Sequence, residues 1–226
     1  MSDYVNSLVP STTFIFSKGL IMLIYIGSVA ALTVFLKIKT GLKTAYSRKI
    51  FHFFIFTAAA VIQFIYGLKG TLLFGTLVTL LVLFAVWRGE KNGLYRALAR
   101  ESDRPHASRF VLIPLFATAV GGMLSNIFFP AFAFVGYLVG GWGDAIGEPV
   151  GAHWGKHRYH VPTLFGVKAT RSLEGSAAVF LVSTFICYAC YSLLSFSSPM
   201  ALKYALICAL VATLTEAFSS HGTDNL

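Results

Sequence analysis

Charge is what this chain has least of. Only 12% of its 226 residues are Asp, Glu, Lys or Arg, and nine acids stand against eighteen cations. So little charge, with 56% hydrophobic residues and a mean hydropathy of +0.73, excludes an ordinary soluble domain. The hydropathy points instead to one all-α, polytopic membrane bundle spanning residues 1–226. Cysteine is scarce too, and Cys187, Cys190 and Cys208 all lie in apolar segments. Cys187-x-x-Cys190 has no second pair and no flanking histidines, which excludes the usual zinc spacing and leaves small core residues. The net charge of +9 does not imply nucleic acid, because the cations fall in loops rather than along one helix face. Repeats and low-complexity segments are missing. The opening MSDYVNSLVPSTT has no basic n-region, so the first apolar run is expected to be an uncleaved span.

The apolar runs predict about seven transmembrane segments. They fall at 14–36, 50–66, 71–87, 110–129, 131–142, 173–196 and 200–219, with a turn at 67–70 and a short surface helix within 93–101. If these spans alternate in direction, the loops at 37–49, 88–109 and 143–172 share one side. Those loops hold 5, 6 and 4 cations, which is 15 of the 18, and Lys18, Lys69 and Lys203 are left for the other side. Such a bias puts the three loops in the cytoplasm and the N-terminus outside.

The longest polar interval, 140–176, lies on that side. It contains Asp144, Glu148 and Glu174, the cations Lys156, Arg158, Lys168 and Arg171, and seven glycines from Gly140 to Gly166. Acids arriving where a chain leaves the bilayer are costly to bury and point to function. Asp144 and Glu148 are four apart and share a helix face. Gly147, Gly151 and Gly155 repeat at the same spacing, so a backbone or a phosphate could approach closely there. Pro149 either opens a helix at Glu148 or sits within one that began earlier. Hard oxygen donors of this kind suit Mg²⁺, which takes one or two carboxylates plus substrate phosphates. Lys156, Lys168 and Arg171 would neutralise those phosphates. Ser172 is a candidate N-cap for the sixth span, with Glu174 in its first turn, and the same helix end can receive an anion. Glu216 stands near a helix C-terminus, where the dipole disfavours it, so a cation or a metal should compensate. His153, His157 and His160 lack the glutamate of the zinc-protease pattern.

Four segments together resemble the CTP-dependent lipid kinase family, whose members act on dolichol, phytol or diacylglycerol. They are Ser47-Arg48-Lys49-Ile50-Phe51-His52, Gly143-Asp144-Ala145 with Gly147, Gly151 and Gly155-Lys156, the run KATRSLEGS from Lys168 to Ser176, and Glu216 followed by Asp224-Asn225. They occur in the family's order and cover most of the chain from Ser47 onwards. The resemblance implies a CTP–Mg²⁺ site lined by Asp144, Lys156, Arg171, Ser172, Glu174, Glu216, Asp224 and Asn225, with Arg48, Lys49 and His52 at the mouth of the second span. Three departures stand out. Arg171 replaces a common lysine, Gly147-Glu148-Pro149 puts an acid and a proline into the glycine core, and the sequence stops at Leu226, where relatives continue into a further span.

The expected function is therefore transfer of the γ-phosphoryl group of CTP to the hydroxyl of an isoprenoid alcohol such as a polyprenol, dolichol or phytol. The products would be CDP and a lipid phosphate. Asp144 with Glu216 or Asp224 would hold Mg²⁺, Lys156, Lys168 and Arg171 the phosphates, and Glu148 or Glu174 would accept the alcohol's proton. Gly151, Gly155, Ser172 and Asn225 would complete the nucleotide site, and membrane lipids would surround the rest. A more distant likeness to phosphatidate cytidylyltransferase, in TRSLEG and HGTD, offers CMP transfer as the alternative. A transporter is the non-enzymatic reading, against which the acids gather at one surface rather than at the midplane.

Overall fold

The computed structural model describes residues 10–165 and 167–219, apart from the side chains of residues 163, 164 and 167–169. Seven α-helices, two short 3₁₀ helices (Gly89–Lys91 and Glu101–Asp103) and one β-hairpin make up that part. Helix α1 (Thr12–Lys39) opens on Ser11, whose hydroxyl accepts from the Phe14 amide at 3.2 Å. Helix α2 (Thr44–Arg88) has 45 residues. At 1.5 Å per residue that is ~68 Å, about twice the hydrocarbon thickness. It is broken at Gly67, whose φ of +63° is open to glycine and closed to most residues. Beyond the break the chain folds back, so that Thr71 donates to Gln63 Oε1 at 2.8 Å and both halves share one apolar core. The expected turn between the second and third spans is this break.

Helix α3 (Gly93–Leu98) is capped by Asn92, whose side chain accepts from the Leu94 and Tyr95 amides. The sequence places a helix here on the surface, and the structure corrects that. Leu94, Tyr95, Ala97 and Leu98 are all buried, and Ser47 donates to the Ala97 carbonyl at 2.7 Å. Four apolar residues in six made a buried helix the cheaper arrangement. Helix α4 (Ala107–Phe128) and helix α5 (Ala133–Trp154) follow, and Pro149 sits inside α5, which began earlier. Strands β1 (Arg158–Leu164) and β2 (Val167–Ser172) pair antiparallel, with His160 opposite Thr170. The sequence reading treats this stretch only as loop. Helices α6 (Leu173–Leu193) and α7 (Ser198–Phe218) complete the bundle.

Among the described residues five helices, α1, α2, α4, α6 and α7, are long and apolar enough to cross a membrane. Helix α5 has the length but carries Asp144 and Glu148. Large apolar side chains are widely exposed on the outside of the bundle, among them Phe16, Leu20, Leu181 and Phe185. A surface of that kind is what lipid covers. Cys187 and Cys190 are buried in the core, and Tyr191 and Cys208 meet at 3.0 Å.

The two ends of the bundle differ. At one end Phe14 packs edge-on against Tyr66, Phe64 against Phe134, and Phe132 against Tyr191 and Phe196. At the other end lie the links after α1, between α2 and α4, and between α5 and α6, beside the ion pairs described below. The three cationic loops thus meet at one end of the molecule.

Candidate functional site

Helix α5 has two working faces. Gly143, Gly147 and Gly151 lie at i, i+4 and i+8 and face α6. The two backbones come so close that a side chain on Gly175 would stand 2.9 Å from the Gly147 carbonyl and 3.2 Å from the Gly151 Cα. The glycine repeat therefore receives a backbone, that of the first turn of α6. The adjacent face turns Asp144 and Glu148 towards α2, and Trp142 sets the register by donating to Thr57 at 2.9 Å.

Lys49, buried in the first turns of α2, pairs with Asp144 Oδ1 and lies 2.7 Å from Glu148 Oε2. Arg100 Nη2 donates to the same Glu148 oxygen at 2.8 Å. His52, one helical turn beyond Lys49, brings Nε2 to 3.6 Å from Asp144 Oδ2 and stacks its ring on Phe56 at 3.9 Å. Beyond Trp142, where α5 leaves the apolar layer, burial acts to raise the Glu148 pKa. Lys49 and then Arg100 outweigh it and hold that carboxyl down at about 2. For Asp144 burial again acts upward, and Lys49 and His52 overcome it, so the group is held below the usual carboxylate range. Both acids are ionised at neutral pH because the cations are built in beside them.

A second pair links the hairpin to the last helix. Arg171 on β2 pairs with Glu216 on α7, and its guanidinium also reaches the Ser219 carbonyl at 3.5 Å. The charge that the helix C-terminus disfavours has its compensating cation, as expected. Ser172 caps α6 by accepting from the Gly175 amide at 3.1 Å, and Gly151 and Gly155 both abut its hydroxyl. Glu174 accepts from the His157 backbone amide at 3.3 Å and meets that ring's Nδ1 at 2.8 Å. Lys156, next in sequence, is exposed.

The structure thus brings together Arg48, Lys49, His52, Asp144 and Glu148 from the sequence-derived set, and separately Arg171 with Glu216. Asp144 and Glu216, expected to share a metal, belong to different ion pairs. Among the described residues no three His, Cys, Asp or Glu side chains gather as a metal cage. The Lys168 side chain, Asp224 and Asn225 lie outside the described residues. Sequence reasoning missed Arg100, one of six cations in a connection whose fold was not legible. It also missed the buried triad in which Gln63 donates to Asn126 Oδ1 at 2.8 Å and accepts from Thr71. A buried Gln and Asn each look like isolated polar residues in an apolar run, and only the fold pairs them.

Among curated proteins, a phytol kinase from Synechocystis sp. (strain ATCC 27184 / PCC 6803 / Kazusa) is 33% identical over 114 residues. Over that stretch the chain is similar to a lipid kinase. This bears out the family resemblance read from the four segments. The match covers 49% of this chain and 47% of the phytol kinase, so the chain spans about half the length of that relative. No family model and no solved structure matches the chain.

Proposed function

We propose that this protein transfers the γ-phosphoryl group of CTP to the hydroxyl of an isoprenoid alcohol at the cationic end of the bundle, yielding CDP and a prenyl phosphate. The observation that carries this reading is the buried cluster of Lys49, Asp144, Glu148, Arg100 and His52, set where α2 and α5 reach the membrane boundary. The relationship to a phytol kinase supports the prenyl alcohol as acceptor class. CTP as donor follows from the motif resemblance, and the cytoplasmic placement of this end from its excess of Lys and Arg.

Phosphoryl transfer through a loose transition state asks the protein mainly to position groups and neutralise charge. Lys49 and Arg100 supply two cations held in place by carboxylates rather than by solvent. Lys49 and Arg100 hold the Glu148 carboxyl below its ordinary range, which makes it a poor proton acceptor and suits it to holding those cations. Asp144 lies between Lys49 and His52, next to the place where an acceptor hydroxyl and a phosphate would meet. Arg171, Lys156 and Lys168 would bind the outer part of the triphosphate.

Mg²⁺ fits this donor set. Asp144 and Glu148 present hard carboxylate oxygens one turn apart, and a single cation, the Lys49 ammonium, already bridges them. When bound with the nucleotide, the ion would supply charge neutralisation on the phosphates.

The test uses purified protein in detergent with Mg²⁺ and CTP labelled separately at the α and γ positions. Phytol, a polyprenol, diacylglycerol and phosphatidic acid serve as acceptors. Label from the γ position appearing in an isoprenoid is the expected result. Label from the α position in phosphatidic acid, with pyrophosphate released, replaces the kinase reading by cytidylyl transfer. Asp144→Asn is expected to abolish transfer while the protein elutes as a folded monodisperse species, and full activity in that variant removes Asp144 from the mechanism.

A further inference from the structure

Between the two halves of α2, α4 and α5 lies a cavity of about 340 Å³. Its lining is almost wholly apolar, from Phe51, Ile55 and Ala59 on one side to Phe74 and Val78 on the other. The hydroxyls of Thr76 and Thr118 bond carbonyls of their own helices and make no demand on the space. Along α2 the lining runs from Arg48 to Ala59, ~16 Å of helix and roughly half the hydrocarbon thickness.

Two features distinguish this space from loose packing. The first is how α4 is attached. It is held near its start by a Tyr95–Ser108 hydrogen bond of 2.9 Å and by buried Phe110, Val111 and Pro114. Near its end it is held by Asn126 on Gln63. Between these ties Thr118, Ala119 and Met123 border the cavity, and Met123, with Leu72 and Leu80 across from it on α2, is also exposed on the outer surface. The space is therefore bordered by residues that face the hydrocarbon of the membrane.

The second feature is its polar end, formed by Arg48 and His52. His52 Nε2 is buried without a hydrogen-bond partner, and it stands 3.6 Å from Asp144 Oδ2. An unsatisfied buried ring nitrogen is costly, and a hydroxyl placed beside it removes the cost.

We propose that this cavity is the acceptor-lipid site. It takes the hydrocarbon chain of a long-chain alcohol from the surrounding membrane between α2 and α4 and places the hydroxyl on His52 Nε2, beside Asp144. The inference rests on the kinase reading for the alcohol's role as acceptor, but the cavity's occupancy can be measured without turnover.

Gly75 offers the decisive substitution. It lines the cavity, and a Cβ there would meet nothing within 4 Å, so the first atoms of Gly75→Phe have room and its ring is directed at the space the lipid would occupy. Gly27 on α1 is equally open but faces outward, and Gly27→Phe is the matched control. The full chain in lipid nanodiscs is irradiated with a phytol-length prenyl alcohol carrying a diazirine near its far end, and the labelled residues are mapped by mass spectrometry. The expected result is labelling at Thr118, Ala119 or Met123, competed by phytol, reduced roughly tenfold by Gly75→Phe and unchanged by Gly27→Phe. Labelling confined to other residues, labelling insensitive to Gly75→Phe, or stronger competition by diacylglycerol than by phytol overturns the proposal. Cavity labelling in a protein that transfers no phosphate to any alcohol leaves the site standing and removes the kinase reading alone.

Discussion

Lys49 is the residue on which the site turns. Its ammonium is buried between two carboxylates from a helix about a hundred residues away, and each acid is ionised because it is there. Removing one partner of a buried ion pair strands the other, at a cost of about 3–5 kcal/mol. Lys49→Met is therefore expected to lower the thermal midpoint in detergent by that equivalent and to abolish transfer. Adding Asp144→Asn should return part of the stability and none of the activity. A Lys49→Met protein as stable as the wild type shows that water or another cation reaches Asp144. At this scale the sequence was informative about the acids and less so about their partners. Asp144 and Glu216 stood out because an acid at the end of an apolar run needs a cause. Arg48, Lys49 and His52 came from the resemblance, and Arg100 carried no local mark, since any of six cations in its connection could have reached Glu148.

Among the elements, the α5–α6 pair sets the geometry of everything around it. Gly147, Gly151 and Gly175 let two backbones touch, which fixes the rotation of α5 and so the direction of Asp144 and Glu148 towards α2. Gly175→Val would press a branched side chain against the Gly147 carbonyl and the Gly151 Cα, and backbone cannot step aside as a side chain can. Overpacking of this kind costs about 1–3 kcal/mol. The expected outcome is a lower unfolding temperature with a larger loss of transfer than stability explains, because the acids move with their helix. Equal activity at native stability removes the glycine contact from the site's support. The boundaries of α1, α4, α6 and α7 were legible, since each follows an apolar run bounded by polar or turn residues, whereas α5, expected to end near 142, continues to Trp154 through glycines and acids that gave no apolar signal. The β1–β2 hairpin was not, because glycine and charge dominate that stretch and strand alternation is short. The burial of α3 was hidden too, since six residues do not show which face meets a neighbour.

For the whole molecule, the arrangement brings Lys39 at the end of α1 and the links holding Lys91 and Lys156 to one end, and the Gly67 turn with Lys69 to the other. Single cysteines at these four positions, in a background without Cys187, Cys190 and Cys208, should divide accordingly. A membrane-impermeant maleimide added to sealed vesicles is expected to label 39, 91 and 156 together and 69 only from the opposite face. Labelling of 69 with the others would dissolve the topology and the positive-inside argument with it. The count of crossings was hard to read from the sequence, because α2 is one long helix with a break and α5 carries acids within its length. The buried cluster also has a history in time. Synthesis from the N-terminus makes Arg48, Lys49 and Arg100 well before Asp144 and Glu148, so the cations emerge at the insertion machinery without these counter-ions. Unneutralised, they would act at full strength as anchors that retain their loops on one side. Only when α5 arrives can Lys49 and Arg100 be taken up into its ion pairs, so charges available to orient the early helices would be the ones later enclosed in the site.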